Sequence, residues 1–233
     1  MKLIARGGIV LAALSLPTLV APAVSATRHK PVQTVDWTKT FAETPDGGFK
    51  MGNPNARIAI VEYGSLTCPH CRHFAETGLK PLLARYVRTG KATYEYRSLI
   101  LNGIDVAATL VARCGGPSHF FPMAAQLYAT QPTWIGKITG AESERLNALP
   151  QDQMMLGVAK VTGLFPIAAA HGIPTAKAKT CVQDQAAADA LQQMVQAASD
   201  KGVTGTPTFF VNDKLVPAYD WATLEPFLKD AGS

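Results

Sequence analysis

The chain has 233 residues, of which 47% are hydrophobic and 17% are charged, and it contains 19 glycines and 16 prolines. This is the composition of a globular protein, and it excludes a disordered, collagen-like or low-complexity chain. Basic residues outnumber acidic ones by 22 to 17, which gives a formal net charge of +5. No stretch of sequence concentrates that charge, so binding to nucleic acid is not expected.

Residues 1–26 have the pattern of a secretory signal peptide. Lys2 and Arg6 form a positive end, residues 7–20 are almost entirely apolar, and small residues lead up to Ala26. Such a segment directs export and is then removed, here near Ala26. A retained membrane anchor is the alternative, but prolines within the segment argue against a long spanning helix. Export would place the cysteines in an oxidising compartment.

The next part of the chain predicts a β-α-β unit. Its expected segments are an edge strand at 37–42, turns at 45–48 and 52–55, a buried strand at 58–63 and a second strand at 92–96. Between the two later strands a helix is expected to begin near Cys68, to bend at Pro81 and to end at Gly90.

From Asp105 to Cys181 runs of β-branched residues are scarce and helical periodicity takes over, so residues 105–181 are interpreted as an all-helical insert. The helices expected within it lie at 120–129, 152–161 and 174–181, with a further apolar face formed by Ala107, Leu110, Val111 and Cys114. The segments expected after the insert are a helix at 184–201, a hairpin at 208–216 and a final helix at 220–230. The predicted fold class is therefore α/β with an inserted helical domain.

The most informative motif is Cys68-Pro69-His70-Cys71, which lies where the strand at 58–63 gives way to a helix. Unpaired N–H groups and the dipole at a helix N-terminus stabilise an anion, so the pKa of Cys68 should be low. Cys71 lies one turn further along, within reach for a disulfide. The imidazole of His70 can donate a hydrogen bond to the Cys68 thiolate or assist it as a cation.

Half of a zinc site is the competing interpretation of this motif. A structural zinc site needs four ligands, and no second Cys-x-x-Cys exists in the chain. His70 and His73 lie too close on one helix end to complete a tetrahedral site. The motif therefore predicts redox chemistry with no metal and no cofactor.

Cys114 and Cys181 are the remaining cysteines, near the two ends of the predicted insert. In an oxidising compartment we expect them to form a structural disulfide. Two separate buried thiols, packed as small hydrophobic side chains, are the alternative.

The stretch from Glu62 to Cys71 resembles the active site of the DsbA-type disulfide oxidoreductases of the thioredoxin-fold superfamily. The Gly-Asn-Pro-Asn turn at 52–55, the helical insert, and the Gly-Val-Thr-Gly-Thr-Pro-Thr segment at 202–208 fit the same family. The resemblance implies a thioredoxin fold built from residues 27–104 and 182–233, with the insert 105–181 between its two halves.

The resemblance also implies a role for each residue of the site. Cys68 matches the nucleophile and Cys71 the resolving thiol. Glu62 matches a buried acid that relays protons to Cys71, although an ordinary acid at a strand edge is the alternative. Pro207 matches a cis-proline beside the active site, and Thr206 before it offers backbone groups to a substrate strand.

The function implied is that of a periplasmic, monomeric oxidase, which donates the Cys68–Cys71 disulfide to reduced exported polypeptides. A DsbB-type inner-membrane oxidase would then reoxidise it. Thr206 departs from the aliphatic residue of DsbA itself and is familiar from isomerase-type relatives. A reductase or isomerase of the same fold, or a redox-inert chaperone or binding module, therefore remain alternatives.

Overall fold

The computed structural model describes residues 35–232, together with Leu3 and Gly8. Apart from those two residues, the predicted signal peptide at 1–26 lies outside the described part. A six-stranded mixed sheet organises the described chain, with its strands in the order β1-β2-β4-β3-β5-β6. The strands are β1 (Phe41–Glu43), β2 (Phe49–Gly52), β3 (Ile58–Gly64), β4 (Ala92–Ser98), β5 (Thr208–Val211) and β6 (Lys214–Val216).

Strand β3 is the central strand of the sheet and confirms the buried strand predicted at 58–63. It pairs in parallel with β4 and antiparallel with β5. All of its residues except Ala59 are buried, as expected for an apolar, β-branched run covered on both faces. Gly64 ends the strand, and a Cβ there would lie 2.5 Å from the ring of Tyr96, so only glycine fits at this position.

Eleven α-helices accompany the sheet within the described residues. They are α1 (Pro69–Thr77), α2 (Leu79–Leu82), α3 (Gly103–Arg113), α4 (Pro117–Ala129), α5 (Gln131–Ile135), α6 (Gly140–Asn147), α7 (Gln151–Thr162), α8 (Leu164–Ala170), α9 (Thr175–Val182), α10 (Gln185–Asp200) and α11 (Trp221–Ala231). No single one of these helices has the length and apolarity needed to cross a membrane; α7 from Gln153 and α8 pass that test only as a pair, bent by 68°.

The helix expected from Cys68 to Gly90 is broken into shorter pieces. Helix α1 ends at Thr77, α2 follows after Gly78, and a π-helical turn covers Leu83–Val87. The expected bend at Pro81 is therefore displaced to Gly78. Since Pro81 has no N–H, it cannot donate to the carbonyl four residues earlier, and that residue is Thr77, where α1 stops.

The edge of the sheet also differs from the sequence prediction. The edge strand expected at 37–42 is split into a 3₁₀ turn, Trp37–Lys39, and the short strand β1. Strand β2 lies between the two predicted turns, where no strand was expected, and it pairs with β4. Four residues are too few for a periodic signal, so the strand depends on its neighbours for its assignment.

Helices α3 to α9 form the helical insert, between β4 and α10. This confirms the predicted fold class, a thioredoxin fold with a helical domain inserted between its halves, whereas the limits at 105 and 181 remain predictions. The apolar core of the insert includes Phe120, Leu127 and Trp134, and it is continuous with Leu66, Cys68 and Cys71. The two cysteines therefore lie where the insert packs on the thioredoxin half.

Candidate active site

Cys68 is the N-cap residue of α1, with an extended backbone, and Pro69 occupies the first helical position. Proline is tolerated there because that position needs no N–H for the helix. The two cysteines are free thiols in this structure. Cys68 is 4% exposed and Cys71 is fully buried, so of the two residues only Cys68 reaches the surface.

The pKa of the Cys68 thiol is lowered to about 5. A hydrogen bond from the Cys71 thiol contributes most; burial opposes it, and the side chain of Thr206 and the backbone N–H groups of Cys71 and His70 add to the lowering. The two backbone N–H groups are the donors that a helix N-terminus offers an anion. At neutral pH Cys68 is therefore mainly a thiolate, which is both a nucleophile and a good leaving group.

The pKa of Cys71 is shifted strongly in the opposite direction. Burial raises it most, and its hydrogen bond to Cys68 and the nearby charge of Glu62 raise it further. Cys71 therefore holds its proton while Cys68 loses one. The two sulfurs share one motif but have opposite chemistry, as required of a resolving thiol and a nucleophile.

Glu62 is a buried acid on the central strand and is only 2% exposed. Burial raises its pKa to about 8, while the hydroxyl of Tyr94 donates a 2.6 Å hydrogen bond to Oε2. The negative charge of Cys68 raises the pKa of Glu62 further, and a charge on Glu62 in turn raises the pKa of Cys71. The carboxyl group is thus protonated near neutral pH.

The Thr206-Pro207 peptide bond is cis, and Pro207 is buried. It lies in the loop between α10 and β5, where the carbonyl oxygen of Thr206 is 3.3 Å from the sulfur of Cys68. The fold therefore joins three segments that sequence reasoning placed together: the Cys-x-x-Cys motif, Glu62 and the Thr206-Pro207 pair.

His70 is exposed on the first turn of α1. Within the described part of the chain its imidazole makes no hydrogen bond to Cys68, and it is the backbone N–H of His70 that lowers the pKa of that thiol. The sequence motif pointed to the imidazole, whereas the backbone donor would be present with any residue except proline at this position.

Two buried polar side chains of the insert also contact the active-site loop, and sequence reasoning missed both. From the sequence, Asp105 was considered only as the start of the insert. Its backbone N–H donates to the side chain of Asn102, the N-cap of α3, so it lies in the first turn of that helix. Gln131 has no local sequence signal. Its role depends on a contact across 65 positions, which periodicity cannot reveal.

Cys114 and Cys181 are joined by a disulfide in the structure, with an S–S distance of 2.01 Å and Cα atoms 5.7 Å apart. The bond ties the C-terminal end of α3 to α9. Over the described residues, no group of three or more histidine, cysteine, aspartate or glutamate side chains is arranged to hold a metal ion.

Comparisons with known proteins show the family to which this chain belongs. A family model described as Thioredoxin matches residues 44–230. A Rickettsia prowazekii protein named as a protein-disulfide oxidoreductase is 29% identical over 177 residues, which cover 75% of this chain and 58% of the relative. A relative of the same name from Rickettsia bellii is 27% identical over 203 residues, or 84% of this chain and 68% of the relative. The chain thus spans roughly three fifths of the length of these curated relatives.

Solved structures extend the comparison to the fold. The structure of a protein-disulfide isomerase from Novosphingobium aromaticivorans superposes with a TM-score of 0.73 at 29% identity, covering 79% of this chain and 96% of that one. Wolbachia pipientis alpha-DsbA1 superposes with a TM-score of 0.66 at 22% identity, covering 81% and 92%, and so shows the fold. The chain belongs to the thioredoxin family, and its fold is that of the DsbA-type oxidoreductases.

Proposed function

We propose that this protein is a thiol:disulfide oxidoreductase that donates the Cys68–Cys71 disulfide to reduced exported polypeptides in the periplasm. The observation that carries the proposal is the opposite behaviour of the two sulfurs: the pKa of Cys68 is lowered to about 5, whereas that of Cys71 is raised. Such a pair is most stable as thiolate and thiol, so the reduced form is favoured and the disulfide is readily given away.

The first step is attack by a substrate thiolate on the sulfur of Cys68. The substrate–Cys68 bond forms as the Cys68–Cys71 bond breaks, and the electron pair leaves on Cys71. Because the pKa of Cys71 is raised, that sulfur must gain a proton. Glu62 is the nearby group suited to supply it, since burial raises its pKa to about 8 and keeps it protonated at neutral pH.

In the second step another substrate thiolate attacks the substrate sulfur of the mixed disulfide. The substrate disulfide forms, the bond to Cys68 breaks, and Cys68 leaves as a thiolate. Two electrons have then passed from the two substrate thiols to the enzyme. One of the two thiol protons replaces the proton that Glu62 gave to Cys71, the other is released to solvent, and Cys68 needs none. The two sulfurs carry both electrons, so the reaction requires no cofactor.

The placement of Thr206 suits a polypeptide substrate. Its carbonyl lies beside the reacting sulfur, and a cis-proline follows, so backbone groups are available to an extended segment at the site. The predicted signal peptide supports export, and turnover there would require a DsbB-type inner-membrane oxidase to restore the Cys68–Cys71 disulfide. We propose that the protein acts as a monomer.

Disulfide isomerisation is the second candidate function. Two observations favour it: Thr206 at the position before the cis-proline, and the name of the Novosphingobium relative, which is 29% identical. An isomerase attacks existing substrate disulfides with the Cys68 thiolate and must therefore work in its reduced form. The redox form in which the enzyme is active separates the two functions.

A refolding assay tests the proposal. The oxidised protein is mixed, without glutathione, with an equal amount of a reduced, unfolded substrate, and substrate disulfides are counted. A donor transfers close to one disulfide for each enzyme molecule. An isomerase instead restores a scrambled substrate when added in its reduced form.

The matched control is the variant Cys68→Ser/Cys71→Ser, which keeps the Cys114–Cys181 bond. If this variant transfers disulfides as well as the parent, the proposed site is wrong. The same variant is tested for suppression of substrate aggregation. If parent and variant suppress aggregation equally and the parent transfers no disulfides, the protein is a binding module rather than a redox enzyme.

A further inference from the structure

The loop that carries Cys68 has few backbone partners of its own. Residues 65–67 connect the end of β3 to the start of α1, outside both the sheet ladder and the helix. Buried backbone N–H and C=O groups in such a position must find partners elsewhere, because leaving them unpaired is costly. In this structure side chains of the helical insert supply those partners.

Asp105 of α3 holds the loop from one side. Its Oδ1 accepts the backbone N–H of Leu66 at 3.1 Å, and its Oδ2 accepts the Ser65 hydroxyl at 2.7 Å and the Leu101 N–H at 3.1 Å. The residue is completely buried. A buried carboxyl group is retained at such cost only where donors surround it, and two of its four donors here, the Leu66 N–H and the Ser65 hydroxyl, belong to the active-site loop.

Gln131 of α5 holds the same loop from the opposite side. Its Nε2 donates to the carbonyl of Leu66 at 2.9 Å and to the carbonyl of Cys68 at 3.0 Å, and the residue is 4% exposed. The carbonyl of Cys68 also accepts the first helical hydrogen bond of α1, from Arg72. Gln131 is therefore bonded to the N-cap residue itself.

The two residues complete the hydrogen bonding of Leu66, because Asp105 takes its N–H and Gln131 binds its carbonyl. The hydroxyl of Tyr128, on α4, donates to the next carbonyl, that of Ser65, at 3.1 Å. Side chains from three helices of the insert thus bind three successive backbone groups of the loop: the carbonyl of Ser65, the N–H of Leu66 and the carbonyl of Leu66. These three side chains hydrogen-bond to the loop rather than to the sulfur of Cys68.

We propose that Asp105 and Gln131 are positioning residues, through which the helical insert holds the Cys68 sulfur against the donors that stabilise its thiolate. Hydrogen bonds weaken steeply with distance and angle, so a small shift of the loop would reduce the stabilisation from His70 N–H, Cys71 N–H and the Thr206 side chain. This inference deepens the proposed function, because it concerns the same reacting sulfur. On this inference the helical insert not only borders the active site but also helps to set the reactivity of Cys68.

Two variants test the inference, Gln131→Met and Asp105→Asn. Methionine keeps the shape of glutamine but removes both donors. Asparagine keeps the shape of aspartate but offers one acceptor oxygen in place of two. Burial raises the pKa of Asp105 to about 6, so its carboxyl group is largely neutral in the range where Cys68 titrates, and loss of its charge contributes little to a change in Asp105→Asn.

Thr162→Val is the matched control. Thr162 is a buried residue of the insert, on α7, and its hydroxyl donates to the carbonyl of Val158 at 2.6 Å, with no hydrogen bond to the active-site loop. The substitution removes a buried hydrogen bond from the same domain. It therefore reports how far a general loss of stability alone affects Cys68.

The measurement is the rate of Cys68 alkylation as a function of pH in the reduced full-length protein, with the unfolding midpoint recorded for each variant. We expect Gln131→Met and Asp105→Asn each to lower the thiolate-to-thiol ratio at a given pH by roughly threefold or more, equivalent to about half a pH unit. Thr162→Val should lower the unfolding midpoint and leave the ratio unchanged.

The inference is overturned if the thiolate-to-thiol ratio falls by less than threefold in both loop variants. It is also overturned if the ratio falls in Thr162→Val as much as in the loop variants. If one loop variant does not fold, the other decides the result alone. The parent titration separates this inference from the proposed function. An ordinary cysteine pKa for Cys68 in the parent would contradict the proposed function itself, whereas a low parent pKa with unaffected variants contradicts only the positioning role.

Discussion

The sulfur of Cys68 lies 3.3 Å from the carbonyl oxygen of Thr206, although 138 positions separate the two residues in sequence. Cys68 follows β3 in the first half of the thioredoxin fold, and Thr206 precedes β5 in the second half. The pairing of β3 with β5 brings them together across the whole helical insert. The same pairing brings the Thr206 side chain, which lowers the pKa of Cys68, to the site, so this part of the shift depends on the assembled fold and not on the Cys-x-x-Cys motif alone.

Replacement of Thr206 by valine should raise the pKa of Cys68. The side chain of Thr206 is one of the donors that lower that pKa, and valine removes the hydroxyl while keeping the branched shape. Because a hydrogen bond to a charged group contributes about 1.5 kcal/mol or more, the pKa should rise by about one unit. Thiolate absorbance in a pH titration measures the change. An unchanged pKa in Thr206→Val would show that the hydroxyl does not face the thiolate.

Replacement of Glu62 by glutamine should remove a pH dependence of stability. The pKa of Glu62 is raised from 4.5 to about 8 in the folded protein, so the folded state binds more protons than the unfolded state between these values. The free energy of unfolding therefore falls as pH rises from 4.5 to 8. The glutamine variant lacks this fall, and at pH 8 and above it should be more stable than the parent by roughly 3–5 kcal/mol.

Denaturant unfolding of both proteins at several pH values checks this prediction. The tyrosine partner provides a control, because Tyr94→Phe removes the 2.6 Å hydrogen bond to Glu62 but keeps the carboxyl group buried. That variant should retain the pH dependence. Parallel stability curves for the parent and Glu62→Gln would show that Glu62 is not the buried, protonated group described above.

Reduction should stabilise the protein near neutral pH, which reverses the usual effect of a disulfide. The pKa of Cys68 is lowered from 9.0 to about 5, and at pH 7 this favours the folded, reduced state by about 3 kcal/mol. The disulfide closes a loop of only four residues, so its constraint on the unfolded chain contributes about 2 kcal/mol to the oxidised state. The reduced form should therefore be more stable by about 1 kcal/mol.

Which of the two forms is more stable, the reduced or the oxidised, depends on pH. A lowered pKa stabilises the reduced fold above the unfolded value, and the contribution is lost as pH falls from about 9 through about 5. The thiolate contribution equals the disulfide contribution at about pH 6.5, so below that pH the oxidised form should be the more stable one. Thermal melts of both forms at pH 4 and pH 7 measure the crossover, and an oxidised form that is the more stable at both values contradicts the account.

The sequence predicted the parts of the fold that have a local signal. The apolar run that became β3 and the hairpin turn at Asn212 and Asp213 identified the two halves of the fold, and the change to helical periodicity identified the insert. Strand β2 was missed because four residues carry no usable period. The helix breaks at Gly78 and not at the predicted Pro81, because a proline removes the hydrogen bond to the carbonyl four residues before it.

In the active site, too, the residues that could be predicted are those with a recognisable sequence signal. The spacing of Cys68 and Cys71 indicates their chemistry in the sequence itself, and the roles proposed for Glu62 and Pro207 follow from a family resemblance. Asp105 and Gln131 could not be found in this way. They act through backbone groups of a distant loop, and nothing in the residues around them distinguishes them from ordinary polar residues of helices.

The reduction potential of the Cys68–Cys71 pair tests the central claim most directly. The protein is equilibrated with mixtures of reduced and oxidised glutathione, and the fraction of the disulfide is measured, with the Cys114–Cys181 bond intact. A disulfide donor whose reduced form is stabilised by a thiolate should have a potential above roughly −200 mV, on the oxidising side of glutathione. A value below this, near that of a cytosolic reductant, would contradict the proposal that the protein gives its disulfide away.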